Sequence, residues 1–311
     1  MRIIFFGSDI FAVPSLEALV ANQFEVAAVA TQPDKKQGRH LALGYSAVKG
    51  TALKLGLKIL QPEKIHEASF IRALRDYQPD LLVVAAYGKI LNKEVLGIPK
   101  IMPINLHGSL LPKYRGAAPI NWTIINGEQE AGITLIRMNE LMDTGDMITQ
   151  SSLRISEMDT AITLREKLAV LGAETLIRTL KKIQGGEKIN FTAQDERGVS
   201  FAPKLKKSDG LIDWQKDCLT IYNRIRGLQP WPGSFTHCQE KVIKILEAEI
   251  VENEVSRVTP GEVVDISRSG IVVASGKGLL KIKELQLESA KRMSAWQFVS
   301  GHRIELGQRL G

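Results

Sequence analysis

Two side chains suited to group-transfer chemistry, Asn105 and His107, stand two residues apart at the end of the apolar run 101–104. If this run forms a strand, side chains at positions i and i+2 point to the same face, so the amide and the imidazole project side by side. Gly108 and Pro112 then turn the chain, which places the pair at an edge rather than in a core. An amide N–H can stabilise an oxyanion, and an imidazole exchanges protons near neutral pH. The pattern indicates an acyl-transfer site at the carboxyl end of a strand.

A carboxylate that could orient His107 is expected from the acidic segment 140–147. Asp143 is the candidate, since a carboxylate beside an imidazole favours its charged form. Asp146 is the competing residue, and spacing alone does not choose between them. Ser109 is not in a GxSxG motif, neither cysteine is close in sequence, and the chain has no HExxH motif. The residues therefore predict direct transfer of an acyl-type group to an external nucleophile, with no covalent enzyme intermediate and no metal.

Length and composition indicate a globular protein of two domains. The chain has 311 residues, of which 44% are hydrophobic and 24% charged, enough for a sizeable core. Its apolar runs are far shorter than the ~20 residues that span a bilayer, and the polar segment 7–9 ends the apolar run 3–6 too early for a secretory signal. Cys218 and Cys238 have no CxxC spacing and are predicted to be reduced thiols of a cytoplasmic protein.

The chain is basic, with a formal net charge of +7, which allows a polyanionic partner. From Lys204 onward, 17 Lys and Arg stand against 13 Asp and Glu, so the C-terminal part carries the denser positive charge. Lys35, Lys36 and Arg39 make the segment 31–45 basic as well, in a long connection with no clear period. Two interpretations of this loop stay open: a solvated loop, or a flexible arm that contacts a phosphate backbone.

The order of elements at the N-terminus predicts an α/β fold. The run 2–6 is typical of a buried parallel strand, a helix with Pro14 near its start follows, and 25–30 forms a second strand. This βαβ beginning predicts a Rossmann-like domain with a parallel-rich sheet. The first turn, 7–12, lacks the GxGxxG pattern, so the sequence does not support a dinucleotide-binding dehydrogenase.

The pattern changes after residue 186. The segment that follows is polar and ends in the basic run Lys204, Lys206 and Lys207, which makes it the candidate linker. Short β-type runs between 234 and 287 are separated by turn residues and predict a small β-barrel. We therefore predict a catalytic domain over 1–186, a linker over 187–207 and a barrel domain over 208–311.

The segment HGSLLPKYRGAAPINW, residues 107–122, resembles the folate-dependent formyltransferases, which carry an Asn-x-His pair and a downstream Asp. The resemblance implies that Asn105, His107 and Asp143 are the catalytic residues and that the formyl donor is 10-formyltetrahydrofolate. It also implies that this donor contacts the turn after His107 and the loop 85–91. The residues concerned are Ser109, Leu110, Leu111, Pro112, Tyr87 and Gly88.

The whole chain is similar to the methionyl-tRNA formyltransferase family. The similar segments are FGSDIFAVPSLEAL (6–19), TQPDKKQGRH (31–40), QPEKI (61–65), FAPKLKKSDGLIDW (201–214) and PWPGSFT (230–236). The resemblance implies a Rossmann-like domain before an OB-like barrel. It implies formyl transfer to the α-amine of methionine on the initiator tRNA, with no membrane and no obligate protein partner. The implied tRNA contacts are Lys35, Lys36, Arg39, Lys204, Lys206 and Lys207.

One departure from the family pattern concerns the basic loop. Arg39 matches the family's arginine, but His40, Leu41 and Ala42 stand where a glycine and two lysines are expected. We expect weaker or altered electrostatic contact with the acceptor stem of the tRNA, and the same substrate.

Two other functions fit parts of the sequence. Sugar-nucleotide N-formyltransferases share HxSLLPxYRG and a C-terminal barrel, but they have no need of a basic arm in the segment 31–45. An RNA-binding protein with an inert Rossmann-like scaffold would leave the set Asn105, His107 and Asp143 unexplained. We therefore expect formyl transfer to methionyl-tRNA, with a sugar nucleotide as the alternative acceptor.

Overall fold

The computed structural model describes residues 1–37, 42–239, 241–251, 258–288, 290–302 and 304–311. The chain forms two compact units that alternate along the sequence. The first unit comprises 1–119, 130–154 and 165–203, and the second comprises 120–129, 155–164 and 204–311. The domain boundaries expected at residues 186 and 207 stay a prediction.

The elements of the described residues are as follows. The strands are β1 Arg2–Gly7, β2 Glu25–Ala30, β3 Lys35–Gln37, β4 Ala42–Gly44, β5 Ile59–Leu60, β6 Leu81–Ala85, β7 Met102–His107, β8 Arg115–Gly116, β9 Glu130–Arg137, β10 Met147–Arg154, β11 Phe201–Ala202, β12 Ser234–Cys238, β13 Lys241–Val251, β14 Val263–Ser267, β15 Gly270–Ala274, β16 Leu279–Leu287 and β17 Met293–Ser294. The α-helices are α1 Val13–Ala21, α2 Ala47–Lys54, α3 Ala68–Asp76, α4 Lys93–Leu96, α5 Pro119–Ile125, α6 Ala161–Gln184, α7 Cys218–Gly227 and α8 Ala295–Gly301.

The first unit is built on a seven-stranded sheet in the order β10-β9-β7-β6-β1-β2-β5. The strands β1, β2, β5, β6 and β7 are parallel, whereas β9 and β10 are antiparallel to their neighbours. β1 and β6 are buried along almost their whole length, which accounts for their uninterrupted apolar sequences. The sheet confirms the predicted parallel-rich α/β fold.

The strand order reverses between β1 and β6. From β1 the sheet extends through β2 and β5 on one side, and through β6 and β7 on the other. The turns that follow β1 and β6 meet at this point, because the backbone N–H of Ser8 donates to the carbonyl of Ala86 at 3.2 Å. Open α/β sheets bind their ligands outside the carboxyl ends of the strands at such a reversal.

Strand β7 presents Asn105 and His107 on one face, as the i, i+2 spacing predicts. The register pairs Asn105 with Val84 of β6 and His107 with Thr134 of β9. Leu106 faces the opposite side. The prediction that the pair lies outside a core was wrong for His107, which is 5% exposed, because β9 pairs alongside β7 and encloses its end.

Two short pairings lie in segments for which the sequence predicts no regular structure. β3 and β4 form an antiparallel hairpin within the segment 31–45. β8 pairs with β11 in parallel, Arg115 opposite Phe201, so part of the predicted linker belongs to the first unit. Strands of two or three residues are too short to show a period-two alternation.

The second unit contains an antiparallel sheet in the order β12-β13-β16-β15-β14, with β17 added to β16. β13 has two register shifts around Glu247, and such bulges bend a strand so that the sheet can wrap around its core. All five strands contribute to one apolar core with α7 and α8, which includes Ile225, Cys238, Ile243, Val263, Val273, Ile282 and Phe298. This sheet agrees with the predicted small β domain, whereas helix α8 was not predicted.

The cysteines of the second unit, Cys218 and Cys238, are free, and burial raises the pKa of each thiol above its usual value. Across the described ranges, no helix combines the length and the apolar character needed to cross a bilayer. The same ranges contain no group of three or more His, Cys, Asp or Glu side chains arranged to hold a metal ion.

Candidate active site

Asn105, His107 and Asp143 meet at the carboxyl end of β7. Asp143 Oδ1 accepts a hydrogen bond from Asn105 Nδ2 at 3.4 Å and lies 3.5 Å from His107 Nδ1. The side chains of His107 and Asp143 are only 6% and 11% exposed, so water screens their interaction weakly. The structure therefore brings together the three residues that were predicted to be catalytic.

His107 has an oxygen atom on each side of its ring. Its Nε2 lies 3.0 Å from the backbone carbonyl oxygen of Tyr114, and its Nδ1 faces the carboxylate of Asp143. A carbonyl oxygen can only accept a hydrogen bond, so Nε2 carries a proton. The carbonyl of Tyr114 and the carboxylate of Asp143 therefore fix the orientation of the ring beside the amide of Asn105.

Asp143 lies in a tight loop that directs its carboxylate towards His107. Its φ of +56° is in the left-handed region, which costs on the order of 1–3 kcal/mol for a residue other than glycine. The backbone N–H of Gly116 donates to Asp143 Oδ2 at 2.9 Å. Two residues further on, Gly145 packs so closely that an added Cβ would lie 1.9 Å from the carbonyl oxygen of Arg137. The loop conformation is therefore set by its neighbours.

The structure distinguishes Asp143 from Asp146, a choice that spacing left open. Asp146 Oδ2 lies 2.5 Å from a guanidinium nitrogen of Arg137, and that guanidinium also lies 4.3 Å from the ring centroid of Phe191. The side chain of Asp146 is 35% exposed. Asp146 forms a surface ion pair, and Asp143 is the carboxylate beside His107.

We expect Asp143→Asn to lower kcat by about 10²-fold, the usual cost when a catalytic group is displaced by about 1 Å. The substitution keeps the shape of the side chain but removes the negative charge that faces His107. Asp146→Asn is the matched control in the same loop and is expected to stay within about twofold of wild type, since an exposed ion pair contributes little. Steady-state kinetics of both variants test the assignment, and equal losses of kcat would contradict it.

The turn after β7 is fixed by hydrogen bonds to β9. Thr134 Oγ1 donates to the carbonyl of Ser109 at 2.6 Å and accepts from the N–H of Leu111 at 3.0 Å. Ser109 and Leu111 are buried, whereas Leu110 and Pro112 are half-buried. Among these four residues predicted to contact the folate, Leu110 and Pro112 have side-chain surface to offer a ligand.

The loop after β6 carries Tyr87 and Gly88. Tyr87 is 2% exposed, its ring packs edge-on against Phe6 with 5.3 Å between centroids, and its hydroxyl has no hydrogen-bond partner among the described residues. Burial raises the pKa of Tyr87 to about 12. Gly88 has a φ of +76°, and a Cβ there would lie 2.7 Å from Gln32 Nε2. The side chain of Tyr87 therefore belongs to the core beneath the loop, and a glycine is required next to it.

The residues predicted to bind tRNA occur in both units. In the first unit, Lys35 is exposed and the backbone of Lys36 belongs to the β3–β4 hairpin. Arg39, with His40 and Leu41, lies outside the described residues. In the second unit, Lys204, Lys206 and Lys207 are all exposed.

A polar cluster anchors the base of the hairpin. Lys49 Nζ lies 2.6 Å from Asp34 Oδ2 and 2.8 Å from Gln61 Oε1, and Gln61 Nε2 donates to Asp34 at 2.8 Å. The hydrogen bond from Lys49, with a second from Gln61, holds the pKa of Asp34 below its usual value. Gln32 donates to the carbonyl of Tyr87 at 2.8 Å. The base of the basic hairpin is therefore joined to the loop after β6.

Sequence reasoning missed three residues that contact His107 or Asp143. Tyr114 and Gly116 act through backbone atoms, whose partners cannot be read from residue type. Gln194 donates to the backbone carbonyl of Asp143 from 51 residues away, and it lies in the segment predicted to be a linker. A polar residue in such a segment gives no local signal of a tertiary contact.

Family models match both parts of the chain: formyl transferase over residues 1–180, and the formyl transferase C-terminal domain over residues 204–303. Among solved structures, the chain is similar to WlaRD, a sugar 3N-formyl transferase, with a TM-score of 0.68 and 20% identity over 94% of this chain and 99% of that one. It is also similar to HypX from Aquifex aeolicus in complex with tetrahydrofolic acid, with a TM-score of 0.66 and 16% identity over 98% of this chain and 50% of that one. The fold and the matched domains define a formyltransferase.

Full-length relatives identify the branch of this class. The chain is 45% identical to the methionyl-tRNA formyltransferase of Acetivibrio thermocellus, with 100% of both chains covered. It is 47% identical to that of Caldanaerobacter subterraneus subsp. tengcongensis, with 99% of each chain covered. The chain belongs to the methionyl-tRNA formyltransferase family.

Proposed function

We propose that this chain transfers the formyl group of 10-formyltetrahydrofolate to the α-amine of methionine on the initiator tRNA, for translation initiation in the cytoplasm. The observation that carries the proposal is the cluster of Asn105, His107 and Asp143 at the carboxyl end of β7. Full-length relatives that bear the name of this activity support the acceptor. The tetrahydrofolic acid in HypX supports a folate donor.

The proposed reaction joins the methionine nitrogen to the formyl carbon. The deprotonated amine attacks this carbon, negative charge develops on the formyl oxygen, and the bond from the formyl carbon to the folate nitrogen then breaks. Asn105 donates a hydrogen bond to the oxygen, and the imidazole of His107 lies beside Asn105 as the second polar group that stabilises the developing charge. Asp143 keeps the ring of His107 oriented. The amine loses a proton to water, and the departing folate nitrogen takes one up.

The folate donor is proposed to lie against the turn after β7 and the loop after β6. Leu110 and Pro112 offer apolar surface, and the buried Ser109 and Leu111 fix the turn from within. In the other loop, the side chain of Tyr87 packs in the core below and Gly88 keeps the backbone accessible to a ligand. This position directs the formyl group to the carboxyl ends of β6 and β7.

The acceptor tRNA is proposed to contact basic residues of both units through its phosphates. These residues are Lys35, Lys36, Arg39, Lys204, Lys206 and Lys207. His40, Leu41 and Ala42 carry fewer positive charges than the family pattern has at their positions. We therefore expect the hairpin to contribute less to tRNA affinity here than in relatives that keep both lysines.

The acceptor is tested with purified protein and 10-formyltetrahydrofolate, by comparing methionyl-tRNA with an amino-sugar nucleotide. We expect formylmethionyl-tRNA and no formylated sugar. Formylation of the sugar alone would overturn the tRNA as acceptor and would leave formyl transfer itself intact.

Replacing both Lys206 and Lys207 with glutamine is expected to reduce the salt dependence of tRNA use. Each phosphate contact that is lost lowers the slope of log(kcat/KM) against log salt by about 1. Lys100→Gln is the control, because Lys100 is an exposed lysine of the first unit near Asp80. A slope for the double variant as steep as that of wild type would contradict the role of the two lysines.

A further inference from the structure

Gln194 holds the backbone of the loop that carries Asp143. Its side-chain Nε2 donates to the carbonyls of Asp143 and Gly145, each at 2.8 Å. Its Oε1 accepts from Arg115 Nε at 2.9 Å. An amide nitrogen has two hydrogens, so both are used on this one loop.

Arg115 is the partner that fixes Gln194. It is 5% exposed, and its two terminal nitrogens face both carboxylate oxygens of Glu196, at 2.9 and 3.4 Å. A guanidinium bound in this forked way has a defined orientation. Arg115 therefore presents its Nε to Gln194 in a fixed direction.

The neighbours of Arg115 in sequence contact the other side of the same site. The carbonyl of Tyr114 accepts from His107 Nε2, and the N–H of Gly116 donates to the carboxylate of Asp143. β8 is in turn paired with β11, and the N–H of Arg115 donates to the carbonyl of Ser200 at 2.9 Å. One run of three residues thus links His107 and Asp143 to the segment 194–202.

We infer that Gln194, oriented by Arg115, is a positioning residue for Asp143. The inference rests on the proposed function, because it concerns the carboxylate that faces His107. Asp143 has a backbone conformation that residues other than glycine rarely adopt. Without the two hydrogen bonds from Gln194 the loop relaxes, and the carboxylate moves away from Nδ1 of His107. The segment predicted to be a linker then helps to position the carboxylate of Asp143.

The test uses the full chain and single-turnover rates, with enzyme in excess over methionyl-tRNA. Gln194→Ala is expected to lower the rate by about 10–100-fold, since displacement of a reacting group by 1 Å costs about 10²-fold. KM for the donor and for methionyl-tRNA should change by less than about threefold, because the amide of Gln194 is already bonded to the loop and to Arg115. Gln194→Glu keeps the size and the acceptor for Arg115 but lacks the donor, so it should show the same loss. Asp195→Asn, which retains the oxygen that accepts from the Arg197 N–H, is the control and should resemble wild type.

A double-mutant cycle with Asp143→Ala separates positioning from a general loss of structure. If Gln194 acts through Asp143, Gln194→Ala costs less than about threefold once the Asp143 side chain is gone. The inference would be overturned if the rate losses of Gln194→Ala and Asp143→Ala multiplied in the double variant. It would also be overturned if Gln194→Ala and Gln194→Glu kept the wild-type rate. A wild-type enzyme that does not formylate methionyl-tRNA would overturn the proposed function instead, and the same assay shows which of the two has failed.

Discussion

His107→Ala is expected to reduce kcat by about 10²–10³-fold, the usual loss when one group that stabilises an oxyanion is removed. The imidazole lies between the carbonyl of Tyr114 and the carboxylate of Asp143, so its loss removes an oriented polar group next to the developing oxyanion. It also leaves Asp143 Oδ1 without the ring nitrogen that faces it at 3.5 Å. KM values should change little, because the ring is buried and offers little surface to either substrate.

The matched control for this prediction is His66→Ala. His66 is an exposed histidine of the first unit, and its removal should leave kcat within about twofold, as expected for a surface substitution. Both variants are measured by steady-state kinetics and by thermal unfolding. A His107→Ala variant that folds and turns over within a few fold of wild type would remove the imidazole from the mechanism.

Asn105→Ala is expected to reduce kcat by about 10²–10³-fold, the usual loss when one oxyanion donor is removed. The amide makes a long hydrogen bond of 3.4 Å to Asp143. Its loss should therefore affect stability less than it affects the rate. Asn22→Ala is the control, because Asn22 is an exposed residue whose amide donates to the Ala18 carbonyl.

The double variant Asn105→Ala/His107→Ala tests whether the two residues act on the same charge. Groups that act as a unit are not additive, so the double variant should be only slightly slower than the more damaging single variant. Losses that multiply would mean that Asn105 and His107 serve separate steps, and the shared oxyanion site would have to be abandoned.

The central sheet was predictable because its inner strands are uniformly apolar. β1 and β6 are buried on both faces, and such strands leave a continuous hydrophobic run in the sequence. The spacing of Asn105 and His107 also fixed their common face, since strand geometry has a strict period of two. These features depend on local sequence, which is why the sequence alone predicts them.

The carboxylate partner could not be derived in the same way. Asp143 and Asp146 stand three residues apart in one acidic loop, and what separates them is the ion pair of Asp146 with Arg137 on β9. The left-handed backbone of Asp143, with a φ of +56°, could not be predicted from the sequence either, because aspartate occurs in many turn conformations. Gln194 was assigned to a linker for a related reason: its partners are distant in sequence and two of them are backbone carbonyls.

The alternation of the two compact units along the chain limits how this protein can recombine with its relatives. The second unit takes residues 120–129 and 155–164 from within the sequence of the first, and the first keeps residues up to 203. A single genetic crossover near residue 186 would therefore exchange Gln194 and β11 together with most of the second unit. Their partners in the first unit, Asp143 for Gln194 and β8 for β11, would come from the other parent. Functional chimaeras should consequently have their junction after residue 203 and should inherit the two inserted segments from the parent of the second unit.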